Sequence, residues 1–207
     1  MKLYYSPGAC SLASRISIYE AGLSAEFVRV DLASKITERG EDYMAVNPAG
    51  SVPLLVLDDG QPVSENVAIL TLLAGMAPQL APSGPFSQIR LIQILSFLST
   101  ELHIAFKPFW HSASESDKAA ASAAVVRRLT LIENDLRELY LFGPRFTTAD
   151  AYLFVMLRWA REFAVPISAE MKAYFERVAE RPAVRAALAE EGLPVPLPDA
   201  MPEMVAT

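Results

Sequence analysis

The hydrophobic pattern changes period near residue 76, and that change limits what the chain can fold into. Before it, short β-favouring runs alternate with apolar stripes at helical spacing. KLYY (2–5) reads as a strand, and SPG breaks it. Ser11 then caps a helix to about Ala21, with Leu12, Ile16 and Tyr19 on one face and Gly22 as the stop. AEFVRVDL (25–32) reads as a second strand, 33–46 as a short helix or loop, and NPAGSVP (47–53) as turn chemistry. VPLLVLDDGQPVSE (52–65) reads as a buried strand, an Asp-Gly turn at 59–60 and a short edge strand. Ser64 caps the next helix, with Glu65 in its first turn. The order is β-α-β-α-β-β-α.

MAPQLAPSGPF (76–86) holds three prolines and a glycine, the composition of a linker. Beyond it only helical periodicity remains, over roughly 87–110, 116–141, 148–161 and 169–179, with a shorter piece after Arg181-Pro182. Thr147 and Asp150 form a capping-box variant, with Asp where Glu is more usual, so they are expected to start a core helix and not to bind a ligand. The tail LPVPLPDAMPEM reads as extended. The expected architecture is an α/β domain over 1–76, a linker over 77–86, and an all-α domain over 87–207 with a Pro-rich tail.

Composition bounds the function. Hydrophobic residues make up 52% of 207, enough to bury a core, and charged residues 20%. A net charge of −6 with no basic run argues against nucleic acid or an anionic membrane as partner. No apolar run approaches the ~18 residues a spanning helix needs, and MKLYYSPGAC lacks the apolar core of a secretory signal. One cysteine excludes an internal disulfide, which suits a reducing cytoplasm. Two histidines and one cysteine far apart make no metal spacing, and PGACS is no phosphate loop, so no metal is expected.

That one cysteine, Cys10, sits between a strand and a helix start. A lone cysteine is often a packing residue. A helix start, however, offers free N–H groups and a positive dipole end, both of which favour a thiolate. CSLA is not CxxC, so any partner thiol must come from outside. Val52-Pro53 is either an ordinary trans bond at a strand start or the cis bond that thioredoxin-like folds place there. In the cis case the Val52 backbone is free to pair with an extended peptide. Ser96, Ser99 and His103 share one helical face beside an apolar face of Leu95, Leu98, Leu102 and Phe106. His111 has no supporting pattern and reads as surface.

SPGACSLASRI, NPAGSVPLLVLDDGQPVSENVAIL, STELH and FTTADAYLFVMLRWA occur together and in order, and the chain resembles a bacterial beta-class cytosolic glutathione S-transferase over about residues 1–192. The resemblance implies a thioredoxin-like domain followed by a helical domain, a homodimer, and glutathione lying along Val52-Pro53. It implies that Cys10 lies beside the glutathione sulfur, that Glu65 and Asn66 bind the γ-glutamyl end, that Lys35 lies near the glycine carboxylate, and that His103 reaches the sulfur. Ser11 is a further candidate donor to it. Bland alternatives stand beside these: Glu65 as a helix-end charge, Lys35 as a surface charge, His103 as part of a solvent-facing stripe. Ser96 stands where the family commonly has an Asn that helps hold glutathione, Ile104 where it commonly has Lys, and the linker is shorter.

The implied reaction is attack of the glutathione thiolate on a small hydrophobic electrophile, in a pocket for which Phe109, Trp110, Tyr152 and Trp159 are wall candidates. Two rivals are thiol transfer or dehalogenation with Cys10 as covalent nucleophile, and a non-enzymatic glutathione-binding module.

Overall fold

The structure is a computed structural model that describes residues 1–111, 113–136 and 138–194. The part of the tail from 195 onward, expected to be extended, lies outside the described residues. A mixed sheet of order β3-β2-β1-β4-β5 forms from Lys2–Tyr5 (β1), Glu26–Asp31 (β2), Ile36–Thr37 (β3), Leu54–Val56 (β4) and Pro62–Ser64 (β5). β1 runs parallel to β2 and antiparallel to β4, with Leu3 opposite both Phe27 and Leu55. Alternation along the strands sends side chains to both faces. Leu3 and Leu55 meet Ile18, Ile69 and Leu73 on one face, and Tyr4, Val28, Val30 and Leu54 meet Tyr43 on the other. Helices α1 (Ser11–Glu20) and α3 (Asn66–Met76) cover the first face, and the short α2 (Tyr43–Val46) lies over the second.

The segment 33–46 is more ordered than its composition suggests. Asp31 accepts the amides of Ala33 (2.8 Å) and Ser34 (3.0 Å), and Lys35 turns the chain at φ 60°. Ile36–Thr37 thereby pairs back on Val30–Asp31 as β3, and Asp42 caps α2 through the Met44 amide.

The helical half comprises α4 (Ser87–Phe97), a π-helical turn over Leu98–His103, α5 (Lys107–Trp110), α6 (Glu115–Asp135), α7 (Thr148–Glu162), α8 (Ala169–Ala179) and α9 (Pro182–Glu190). The expected 87–110 helix is thus three pieces. The expected 116–141 helix ends at Asp135, where Leu136 turns extended and Tyr140 pairs with Gly143 in a tight reversal. Every residue of α7 from Thr148 to Ala160 is buried, as expected of a helix surrounded by others. Thr147 and Asp150 form the expected box at its start. α1 packs against α3, α7 and α9, so it joins the sheet to the helical half. Among the described residues no helix is long and apolar enough to cross a membrane.

Candidate active site

Cys10 stands where β1, the loop 6–10 and α1 meet. It occupies the N-cap position of α1, one residue before the expected cap. Ser11 is the first helical residue, fully buried, and its hydroxyl accepts the Ser6 amide (3.2 Å) and donates to the Ser6 carbonyl (3.3 Å). That hydroxyl ties the loop to the helix, so it reaches an incoming sulfur only by leaving Ser6.

The Cys10 thiol is half-buried and donates to the Val52 carbonyl at 3.6 Å. Burial pushes it up to about 12. The Cys10 and Ser11 amides pull the other way, and the Glu65 carboxylate adds to the rise. The low-pKa thiolate expected from a helix start is therefore not what the site holds. Desolvation outweighs the helix end, and Cys10 is a thiol that donates.

The Val52-Pro53 bond is cis. Of the two Val52 backbone groups expected to face a peptide, the carbonyl takes the Cys10 thiol, and the amide has no hydrogen-bond partner among the described residues. Tyr43 Oη (2.7 Å) and Asn47 Nδ2 (2.8 Å) hold the Ser51 carbonyl, fixing this edge. Lys35 Nζ donates to the Gly50 carbonyl at 2.9 Å, which lays Lys35 along the same edge.

Glu65 is the N-cap of α3, not a first-turn residue, and Ser64 closes β5 instead of capping. Glu65 is exposed at φ 67°, a left-handed conformation unfavourable for a residue with a Cβ, and strain of this kind collects at functional sites. Asn66 is buried; its Nδ2 donates to the Cys10 carbonyl (3.2 Å), and its Oδ1 accepts from Ser14 Oγ (2.8 Å). Asn66 thus braces the start of α1.

His103 closes the π-helical turn, a feature common at functional positions. Its Nδ1 lies 2.9 Å from Tyr152 Oη. Burial, with help from the Lys107 charge, lowers the imidazole to about 4, so it is neutral at pH 7. Burial holds the Tyr152 phenol well above its ordinary range, so it remains a donor. Either partner can donate in this contact; with the phenol donating to Nδ1, the imidazole proton sits on Nε2. Cys10 lies within electrostatic reach of the Tyr152 oxygen, which the Ser99 and Asn66 side chains also face; thiol, amide, phenol and imidazole share one neighbourhood.

Of the expected wall aromatics, Trp110 is 42% exposed and stands edge-on to His103 (5.8 Å) and Trp159 (4.7 Å). Phe109 stacks on Phe163, while Tyr152 and Trp159 are buried and support His103 from behind. Ser96 is half-buried on α4, one turn before Ser99. His111 is exposed.

The N-terminal domain family of glutathione S-transferases matches residues 8–75, and the C-terminal domain family matches residues 97–182. The chain belongs to the glutathione S-transferase family. Glutathione S-transferase GstA of Escherichia coli O157:H7 is 45% identical over 202 residues, which cover 93% of this chain and 100% of that protein. A sphingomonad glutathione S-transferase solved in complex with glutathione is 44% identical, with a TM-score of 0.87, covering 94% of this chain and 100% of that one. The beta-class enzyme of Sphingomonas chungbukensis is 45% identical, with a TM-score of 0.86 and the same coverage. This glutathione S-transferase accordingly carries the thioredoxin-like α/β half and the helical half that its sequence implied.

Sequence reasoning missed Ser14 and the part played by Ser99 and Tyr152. A signal existed for the first: Ser11, Ser14 and Ser17 recur every three residues on α1, and all three are fully buried. Tyr152 was expected to line a pocket, and it instead orients His103.

Proposed function

We propose that this glutathione S-transferase conjugates the glutathione thiolate to small hydrophobic electrophiles, with Cys10 as a donor to the sulfur and not as a covalent partner. The thiol of Cys10, protonated and aimed at the Val52 carbonyl, is the observation that carries the reading. A donor already at that place can turn to a sulfur anion beside it. His103, neutral at pH 7, is a second donor, through Nε2 when the Tyr152 phenol donates to Nδ1. Lowering the glutathione thiol by two pKa units corresponds to about 3 kcal/mol of preference for the thiolate. Two neutral donors in a site partly closed to water are suited to supply that.

The cis edge at Val52 takes the cysteinyl backbone of glutathione, with Glu65 and Asn66 at the γ-glutamyl end, Lys35 at the glycine end and Ser96 as a weaker polar contact. Residues 1–76 thus serve glutathione. The helical part after the 77–86 linker supplies His103 and the apolar wall, with Trp110 as the exposed aromatic that meets the electrophile. A homodimer is supported by the apolar side chains of Phe86, Ile89, Ile92 and Leu131, all exposed on the single chain. Place of action in the cytoplasm follows from the same reading of a reducing compartment, and no metal takes part.

The test is turnover of glutathione with an aromatic halide by wild type and by Cys10→Ala. Activity in both, with the variant within about tenfold, is expected for loss of one of several donors. An inactive wild type overturns conjugation for that electrophile class. Thiol exchange with a glutathione mixed disulfide that vanishes in Cys10→Ala, without conjugation, moves the assignment to the covalent chemistry.

A further inference from the structure

The backbone of a single residue outside the catalytic set, Gly8, ties both sides of the sulfur site to distant parts of the helical half. Gly8 lies in the loop between β1 and Cys10, at φ +72°. Its amide donates to Glu191 Oε2 at 2.9 Å, a contact spanning 183 residues. Its carbonyl accepts from Trp159 Nε1 at 2.8 Å. The Trp159 ring lies 4.9 Å from the His103 ring. Gly8 therefore links the loop that delivers Cys10 to the indole that backs His103.

Glu191 caps the end of α9, and its side chain is fully buried. Arg15, also buried, is its ion partner, but at 3.6 Å, and Arg15 makes its short contact with the neighbouring Glu190 at 2.6 Å instead. Among the described residues, Glu191 Oε1 has no hydrogen bond, nor have Nε and Nη1 of Arg15 or Nε of Arg158. Among the described residues, the one hydrogen bond of this buried carboxylate goes to Gly8. A buried charge with so poor an ion-pair geometry is a weak stabiliser. Burial pushes its carboxyl up to about 7 against the pull of the Gly8 amide and Arg15, so the charge itself is unfavourable there. What remains as its contribution is the acceptor.

We propose that Glu191 is a positioning residue for the sulfur site, holding the Gly8 backbone so that Cys10 stays under the Val52 carbonyl and Trp159 stays against His103. The proposal rests on the glutathione reading only for its kinetic arm. With the tether removed, the 6–10 loop loosens, Cys10 leaves the Val52 carbonyl and meets water, and its thiol becomes more acidic and more reactive.

Cys10 is the only cysteine in the chain, so alkylation by iodoacetamide at pH 7 reports this loop with no contribution from another thiol. Glu191→Ala is expected to raise the alkylation rate about tenfold and to raise KM for glutathione by a similar factor, with a smaller change in kcat. Glu191→Gln keeps an acceptor and sheds the charge, and is expected within about twofold of wild type on both readouts. An alkylation rate in Glu191→Ala equal to wild type overturns the proposal, and so does an equal effect of Ala and Gln. Should Glu191→Ala fail to fold, Trp159→Phe removes the other hydrogen bond of the Gly8 backbone and keeps a ring against His103. It is expected to raise the alkylation rate, and an unchanged rate overturns the proposal. Altered alkylation in a protein without glutathione turnover upholds the tether while removing the conjugation reading.

Discussion

Replacing Asp150 with alanine removes an acceptor that four donors share inside the core. Oδ2 accepts the Thr147 amide at 2.8 Å and the Thr147 hydroxyl at 2.6 Å. Oδ1 accepts the Leu141 amide at 2.8 Å and the Tyr174 hydroxyl at 2.6 Å. Asp150, Thr147 and Tyr174 are essentially inaccessible to water. In the variant the Thr147 amide and the Tyr174 hydroxyl stay buried without partners, at about 1–3 kcal/mol each. Loss of the helix cap itself is worth about 0.5–2 kcal/mol. Part of this is returned, because burial pushes the Asp150 carboxyl up and so makes its charge unfavourable. The expected net loss is about 4 kcal/mol, at the upper end for a point change. For a chain of this length that is a fall in Tm of roughly 10 °C. Urea unfolding followed by far-UV circular dichroism, at fixed protein concentration, measures it directly. KM for glutathione, taken well below the new Tm, is expected to stay near wild type. A Tm within about 2 °C of wild type, or a selective loss of glutathione binding in a stable variant, refutes the reasoning.

Glu65→Gly is expected to act in opposite directions on stability and binding. It relieves the left-handed backbone at φ 67° and raises stability by about 1 kcal/mol, while it removes the proposed γ-glutamyl contact and is expected to raise KM for glutathione; a less stable variant would show that the conformation carries no strain. His103→Gln is expected to flatten stability against acid. The folded imidazole, lowered to about 4 from 6.5, binds fewer protons than the unfolded chain in that window, so wild type loses stability as pH falls through it. The difference between wild type and variant should change by about 3 kcal/mol between pH 7 and pH 4, and parallel curves would contradict a buried neutral imidazole.

What could be read in the sequence was local, and what could not be read came from far along the chain. Four residues, Thr147 to Asp150, contain all of the capping box, and the strand-turn-helix of residues 2–21 is contained in its own apolar spacing. The reversal at Lys35 and the N-cap at Glu65 escaped notice because both put a non-glycine residue at positive φ, which no composition rule anticipates. The π-helical turn at Leu98–His103 keeps an ordinary helical pattern and shows only in the backbone.

Cys10 is the instructive case. The sequence shows a helix start, and a helix start is worth about 0.3–2 kcal/mol toward a thiolate. Burial of such a group can move it by up to about 3–5 pKa units the other way, several kcal/mol. Burial wins, with the Glu65 charge adding to the rise, and the groups around the residue come from far along the chain: Val52, 42 residues on, accepts from the thiol, Asn66 holds the Cys10 carbonyl, and Trp159 and Glu191 hold the loop through Gly8. None of these is within reach of a local reading around residues 6–14. That local stretch determines where the sulfur stands; the distant contacts bury it and give its proton an acceptor at the Val52 carbonyl.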